Sequence, residues 1–155
     1  MITQKTKYAL KALMTLADAR GESETALRIE QIAKRSGAPK RFLEHILLDL
    51  KRAGLIGSRR GRNGGYELIK EAKTISLAEV LRLIDGPLAP LPCLSRRAYQ
   101  RCEDCTDEET CRVRAVFEDF YSTYNLMIES LTLADLQHVA DPIAAIDMPR
   151  PSPGE

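Results

Sequence analysis

The sequence of 155 residues contains no tryptophan, only two histidines and no apolar run that approaches the roughly 20 residues of a membrane span. Its first residues, Met1-Ile2-Thr3-Gln4-Lys5, lack the charged and then apolar pattern of a secretory signal. It also lacks a phosphate-binding loop and a dinucleotide-binding glycine motif, and His45 and His138 lie far apart without a nucleophile in an obvious motif. These absences predict a cytoplasmic protein that has no membrane partner and is not an enzyme.

The net charge of +1 hides an uneven distribution of charge along the chain. Residues 1–73 contain 16 Lys and Arg against 8 Asp and Glu, which gives a net charge of +8. Residues 74–155 contain 7 Lys and Arg against 14 Asp and Glu, which gives −7 and returns the total of +1. A basic first half joined to an acidic second half predicts that only the first half binds a polyanion.

Hydrophobic periodicity and turn signals predict a mainly α-helical chain with one small β-hairpin. Gly37 ends a short second helix, and Pro39 suits the first turn of the third helix, where its missing N–H costs nothing. Asn63-Gly64 is a strong hairpin signal because both central residues of a type I′ turn need positive φ. The predicted elements are helices at 3–19, 29–36 and 39–53, strands at 55–58 and 66–69, and helices at 76–84, 106–131 and 132–140.

The order helix, short helix, turn, helix and basic hairpin is that of a winged helix-turn-helix. We therefore predict a winged helix-turn-helix DNA-binding domain at 1–86 and a cysteine-containing sensor loop at 87–105. A long dimerisation helix and a closing helix are expected at 106–140. The remaining residues, 141–155, are rich in proline and are expected to form a disordered tail.

The predicted long helix carries an apolar stripe that a domain of this size is too small to cover alone. The stripe predicts a homodimer whose subunits pack through the helix around residues 106–131. The alternative is that this helix folds back on the first helix of its own chain. The stripe consists of Val113, Val116, Phe117, Phe120, Tyr124, Met127, Ile128 and Leu131.

The third helix and the hairpin carry the residues predicted to contact DNA. An arginine can donate two hydrogen bonds to guanine, and a glutamate can accept one from the amino group of cytosine. Arginines beside a glycine-rich turn can enter the minor groove. A solvated helix face, or a surface that docks an acidic protein, is the alternative, but neither requires the arginines and glycines of the hairpin. The predicted contacts are Lys40, Arg41, Glu44 and His45 on the helix and Arg59, Arg60 and Arg62 on the hairpin.

The sequence resembles the family of bacterial winged-helix regulators that includes IscR, NsrR, RirA and CymR. The most specific shared segment is the hairpin, Arg60-Gly61-Arg62-Asn63-Gly64-Gly65-Tyr66, and the resemblance also covers 5–10, 50–56 and 131–136. It implies a homodimer that binds a double-stranded DNA operator with dyad symmetry, usually as a repressor. By position, Glu44 matches the family's recognition-helix glutamate, and Arg60 matches an arginine of the wing.

The four cysteines, Cys93, Cys102, Cys105 and Cys111, lie within nineteen residues of one another. Clustered cysteines in a chain without an export signal indicate a metal or redox site rather than a disulfide scaffold. The resemblance implies an iron–sulfur cluster, because cluster-binding members use three cysteines in this region, the last two separated by five residues. Cys105 and Cys111 match that spacing, and Cys93 matches the first position.

The cysteine segment also departs from the family pattern. Cys102 is additional, and Arg114 stands where IscR-like members carry a histidine ligand. We therefore predict that Cys102 completes a four-cysteine site for a 2Fe–2S or 4Fe–4S cluster, whose binding or loss alters DNA binding. The alternatives are a structural zinc ion held by four thiolates, a cluster-free thiol/disulfide redox sensor, and cysteines without a function.

Overall fold

Helices and one β-hairpin form the regular structure of the computed structural model, which describes residues 2–22 and 26–138. The prediction of a mainly α-helical fold with a small β-hairpin wing and a long helix is confirmed. The predicted tail and the last two residues of the predicted closing helix lie outside the described residues. The elements are α1 (Gln4–Gly21), α2 (Ile29–Ser36), α3 (Lys40–Arg52), β1 (Ile56–Arg59), β2 (Gly65–Leu68), α4 (Leu77–Asp85), α5 (Arg112–Ser130) and α6 (Leu133–His138).

Helix α1 is the centre of the hydrophobic core because small residues line its buried face. Thr3, the first residue of the predicted helix, is its N-cap, and its hydroxyl accepts a hydrogen bond from the Thr6 N–H at 3.2 Å. Ala9 and Ala12 are fully buried, and their short side chains allow the backbones of neighbouring elements to approach. Helix α1 therefore contacts α2, α3, α4, α6 and β2, and joins them in one core.

Helices α2 and α3 form the predicted helix-turn-helix. Gly37 ends α2 in the left-handed region with φ of 67°, and its N–H donates to the Ala33 carbonyl at 3.0 Å. Pro39 is the N-cap of α3, one residue before the position predicted for it. Leu43, Ile46, Leu47 and Leu50 bury one face of α3 against the core, so the opposite face is left to solvent.

The hairpin is joined to the helix pair by backbone hydrogen bonds. Strands β1 and β2 are antiparallel, with Ile56 opposite Leu68 and both side chains buried. The Leu27 N–H donates to the Tyr66 carbonyl at 2.9 Å, and the Tyr66 N–H donates to the Leu27 carbonyl at 2.7 Å. An isolated two-stranded hairpin is marginally stable in water, so this third backbone segment fixes the hairpin against the start of α2.

The turn of the hairpin differs from the predicted one. The Gly64 N–H donates to the Gly61 carbonyl at 3.0 Å, so the β-turn spans Gly61–Gly64 and Asn63-Gly64 is not its central pair. Positive φ occurs at Gly61 and Gly65 rather than at Gly64. The reason is the register: the ladder ends at the pair Arg59 and Gly65, which leaves residues 60–64 in the loop. This loop is longer than the two residues of a type I′ hairpin.

The long helix begins later than predicted, at Arg112 instead of residue 106. The carboxylate of Asp107 accepts a hydrogen bond from the Glu109 N–H at 3.0 Å and forms a local turn. Such side-chain turns compete with helical hydrogen bonds, and here the local turn prevails until Cys111. The cysteine segment therefore extends to the first residue of α5.

Helices α4, α5 and α6 connect the long helix to the core. Ser76 is the N-cap of α4, and the Leu77 N–H donates to the Leu131 carbonyl at 2.8 Å across the junction of α5 and α6. One face of α5 packs on α4 through Ile128, which contacts Ala78 and Leu81. Helix α6 packs against α1. In the described part of the chain, no helix has the length and apolar character needed to cross a bilayer.

Gly65→Ala should destabilise the fold because a Cβ at this position would lie 2.4 Å from the Leu27 carbonyl oxygen. The hairpin must then move away from Leu27, at a cost of about 1–3 kcal/mol in the free energy of unfolding, the range typical of overpacking. Urea denaturation followed by circular dichroism measures this change. Gly21→Ala is the control, because nothing lies within 4 Å of a Cβ there. Equal, small effects of the two substitutions would contradict the close approach.

Candidate nucleic-acid interface and cysteine segment

Helix α3 presents the four side chains predicted to contact bases. Lys40, Arg41, Glu44 and His45 are all exposed. The Lys40 ammonium pairs with the Glu30 carboxylate at 2.6 Å, and this hydrogen bond raises the pKa of Lys40 and lowers the pKa of Glu30. Within the described residues, the side chains of Glu44 and His45 form no hydrogen bond or ion pair. These two side chains are therefore available to an external partner.

Helical spacing predicts that Phe42 belongs to the buried stripe of α3, but its side chain lies outside that stripe. Its side chain is 38% exposed, and its ring lies against the ring of Tyr8 with a centroid separation of 5.5 Å. The guanidinium of Arg41 lies 5.0 Å from the centroid of the Phe42 ring, within the range of a cation–π contact. Because the first turn of α3 lies at the edge of the core, Phe42 supports Arg41 instead of filling the core.

The hairpin arginines differ in their partners. The Nε of Arg59 pairs with the Glu67 carboxylate at 2.7 Å across the two strands. The guanidinium groups of Arg60 and Arg62 are exposed and form no ion pair among residues 2–22 and 26–138. Arg60 and Arg62 therefore provide the uncompensated positive charge of the hairpin loop, and Arg59 contributes less while Glu67 neutralises it.

Arg28 was missed in the sequence and joins the helix pair to the hairpin loop. Its guanidinium donates to the Arg62 carbonyl at 2.5 Å, and its backbone N–H donates to the Gln31 side chain at 2.8 Å at the start of α2. The sequence signal that could have drawn attention to Arg28 is its position as a basic residue immediately before a predicted helix. Nothing local indicated a contact with a residue 34 positions away.

The thiols of the four cysteines neighbour one another within one segment. Cys93 is buried in a short 3₁₀ turn, and the other three are partly exposed. Burial raises the pKa of the Cys102 thiol, and the Cys93 thiol, with which it shares a hydrogen bond, raises it further. Burial and the hydrogen-bonded Cys111 thiol raise the pKa of Cys105 in the same way. Cys111 is also the N-cap of α5, and its Sγ accepts from the Arg114 N–H at 3.4 Å.

Arg114 holds the cysteine segment against the long helix. Its guanidinium donates to the Cys93 carbonyl at 2.8 Å and pairs with the Glu108 carboxylate at 3.0 Å. The Tyr99 hydroxyl donates to the other oxygen of Glu108 at 2.6 Å. The position that carries a histidine in IscR-like proteins therefore has a structural role here, because Arg114 connects both ends of the segment.

The cysteine segment fits an iron–sulfur cluster in the number and type of its donors, because both common cluster types take four cysteine thiolates. In the residues that the structure describes, no three cysteine, histidine or carboxylate side chains converge on one point. Neighbouring thiols instead act on one another in sequence: Cys93 on Cys102, Cys105 on Cys102, and Cys111 on Cys105.

Comparison with known proteins identifies the family. A model of the Rrf2 family, described as iron-dependent transcriptional regulator, matches residues 2–139. The chain is 59% identical to the rrf2-like protein of Rhodobacter capsulatus over 147 residues, which cover 94% of this chain and 98% of that protein. It is 30% identical to the HTH-type transcriptional regulator CymR of Bacillus subtilis over 140 residues, which cover 90% of this chain and 91% of CymR.

The fold is similar to solved structures of the same kind. The structure of B. subtilis CymR, the global cysteine regulator, superimposes with a TM-score of 0.73 at 27% identity and covers 91% of this chain and 98% of that chain. These matches confirm the resemblance noted in the sequence and show a transcription regulator rather than an enzyme. The chain belongs to the Rrf2 family of transcriptional regulators.

Proposed function

We propose that this chain is a dimeric repressor that binds a specific operator in the cytoplasm through residues 1–86. Helix α3 enters the major groove, and the hairpin loop enters the adjacent minor groove. The observation that carries this proposal is the set of exposed side chains without an internal partner on both elements, Glu44 and His45 on α3 and Arg60 and Arg62 on the hairpin. The hydrogen bonds between Leu27 and Tyr66 hold the two elements in one rigid arrangement.

Each side chain has a distinct role in this proposal. Arg41, supported on the ring of Phe42, donates its paired N–H groups to the O6 and N7 atoms of a guanine. Glu44 accepts from a cytosine amino group and disfavours other bases, because its carboxylate would otherwise lie unpaired near phosphates. Lys40 and Arg59 exchange their internal carboxylate partners for phosphate oxygens. Arg60 and Arg62 occupy the minor groove.

The exposed face of α5 supports the dimer. Val116, Phe120 and Met127 are 68%, 65% and 59% exposed, and the ring of Phe120 stacks on Tyr124 with a centroid separation of 6.4 Å. The adjacent face of this helix packs on α4 through Ile128, with Tyr124 at its border, so the prediction that Ile128 belongs to the exposed stripe is wrong. A second copy of α5 is the partner that covers this face in the proposed homodimer.

The cysteine segment is the proposed sensor. Cys93, Cys102, Cys105 and Cys111 hold an iron–sulfur cluster of the 2Fe–2S or 4Fe–4S type. When bound, the cluster supplies redox chemistry and a link between the four thiolates. Arg114 then transmits the state of the segment, because it bonds the Cys93 carbonyl from the first turn of α5. A change in the segment thereby shifts the placement of α5, and with it the spacing of the two DNA-binding domains.

A thiol/disulfide sensor without a cluster is the second candidate. The proximity of the Cys93 and Cys102 thiols favours it, because an external two-electron oxidant could join neighbouring thiols as a disulfide, with release of both thiol protons. The raised pKa of Cys102 opposes rapid oxidation, since the thiolate is the reactive form. A structural zinc ion on the same four thiolates is the third candidate.

Substitutions at two proposed DNA-contact residues should have different effects on affinity and on base preference. Arg60→Ala should weaken binding about tenfold, or about 1.4 kcal/mol, to a duplex selected from a random-sequence library. Glu44→Ala should reduce affinity less but select a less restricted sequence, because the lost carboxylate rejects wrong bases. Fluorescence anisotropy and a repeated selection measure the two effects. Arg97→Ala, an exposed arginine outside this interface, is the control. Unchanged binding in both test variants would place the interface elsewhere.

The dimer should depend on the apolar face of α5. Phe120→Glu places a charge in the centre of that face and should give a monomer at micromolar concentration in sedimentation velocity, with weaker binding to a dyad-symmetric duplex. Ser122→Glu introduces the same charge on the opposite side of the helix and should remain dimeric. A monomeric parent chain, or a dimeric Phe120→Glu variant, would contradict the proposed interface.

The protein purified without oxygen should contain iron and acid-labile sulfide in equal amounts and absorb visible light. Cys102→Ser should lose iron as completely as Cys105→Ser, because both thiols are proposed ligands. Full iron retention in Cys102→Ser would make Cys102 a spare thiol. A colourless, iron-free protein would exclude the cluster. Mass spectrometric detection of a Cys93–Cys102 disulfide would then support the second candidate, and bound zinc would support the third.

A further inference from the structure

A cleft of about 530 Å³ lies between the end of α4, the chain segment 87–97 and α5. It is lined on α5 by Glu118, Tyr121, Ser122 and Asn125, which alternate with the exposed apolar residues of the proposed dimer face along the helix. The cleft is therefore on a different side of α5 from that face. None of its lining residues is a proposed DNA contact or cluster ligand.

The walls of the cleft are held by a polar connection between the two helices. Arg82, near the end of α4, forms a salt bridge with Glu129 of α5. It also donates to the Asn125 side chain at 3.3 Å. This connection fixes α4 and α5 relative to each other at one end of the cleft, so the cavity is part of the fold rather than a gap between independent elements.

Two arginines in the cleft have no internal partner. Arg96 and Arg97 are exposed and form no hydrogen bond or ion pair within the described part of the chain. Because Arg82 and Glu129 neutralise each other, Glu118 is the remaining carboxylate against these two guanidinium groups. The cleft therefore has an uncompensated formal charge of +1, which favours an anionic ligand. Guanidinium groups bind carboxylates through paired hydrogen bonds.

The rest of the lining is suited to an apolar body. Leu88, Leu94 and Leu126 contribute aliphatic surface, and Tyr121 contributes a ring with a hydroxyl group. Small-molecule sites generally have volumes of about 300–1,000 Å³ and combine apolar walls with a few polar groups that fix orientation. Both the size and the composition of this cleft agree with that description.

We propose that the cleft binds a small organic anion with an apolar body, whose carboxylate pairs with Arg96 and Arg97. A bound ligand would also act on the proposed sensor, because Arg96 and Arg97 belong to the same chain segment as Cys93. Ser95 lies between Cys93 and Arg96 in the sequence and is buried. Its hydroxyl accepts a hydrogen bond from the Ala98 N–H at 3.0 Å, which fixes the local turn. The effect of such a ligand on DNA binding rests on the proposed function, but its binding to the cleft does not.

Binding can be measured with the full-length protein and no DNA, using anilinonaphthalene sulfonate as a fluorescent organic anion and decanoate as its competitor. The double variant Arg96→Ala/Arg97→Ala should bind the probe at least tenfold more weakly than the parent chain. Arg60→Ala/Arg62→Ala removes two exposed hairpin arginines and should leave the affinity unchanged. Decanoate should displace the probe, and decanol, which lacks the charge, should not displace it at the same concentration.

Two further variants distinguish probe binding in the cleft from probe binding on another surface of the protein. Ser122→Trp keeps both arginines but fills the cleft, and should also abolish probe binding while circular dichroism shows a folded protein. Phe120→Glu changes the exposed apolar face of α5 and should retain binding. Unchanged affinity in the double arginine variant or in Ser122→Trp would overturn the proposal. Loss of probe binding in Phe120→Glu alone would assign the probe to the apolar face and equally overturn it.

Discussion

The backbone hydrogen bonds between Leu27 and Tyr66 are the interaction on which the DNA-binding arrangement depends. They form an isolated β-bridge between the segment before α2 and the hairpin, and so join the wing to the helix pair. Gly65 makes this possible, because any Cβ at that position would overlap the Leu27 carbonyl. Arg28 strengthens the same junction from α2 to the hairpin loop. The arginines of the loop thus keep a fixed position relative to the exposed face of α3, which is the requirement for reading two grooves at once.

The second half of the chain is connected to this body through α4. Helix α5 packs on α4 through Ile128, and the Arg82–Glu129 salt bridge closes the same contact on its polar side. Arg114 ties the cysteine segment to the opposite end of α5. Helix α5 therefore contacts the proposed sensor, lines the proposed ligand cleft and carries the exposed apolar face. In the proposal, the acidic half makes no DNA contacts of its own, and its role is to set the distance between two basic domains.

Sequence signals that act over a few residues were sufficient to predict the fold but insufficient to predict several parts of the site. The Gly37 end of α2, the Thr3 cap and the hairpin follow from residue types that act within a few positions. The start of α5 was misplaced because the Asp107 side chain competes locally with the helix. Phe42 and Arg28 depend on contacts between distant segments, which periodicity cannot reveal. The outward face of the third helix and the arginines of the hairpin predicted the groove contacts, and the family resemblance matched two of them, Glu44 and Arg60. The structure adds which of these side chains have an internal partner.

The most direct test of the central claim is hydroxyl-radical footprinting of the full-length protein on a duplex selected from a random library. A dimer that reads a major groove with α3 and the adjacent minor groove with the hairpin should protect two dyad-related half-sites on one face of the duplex. Their centres should lie about one or two helical turns apart. Protection of a single half-site, or uniform protection without symmetry, would contradict the account of this protein as a dimeric winged-helix regulator.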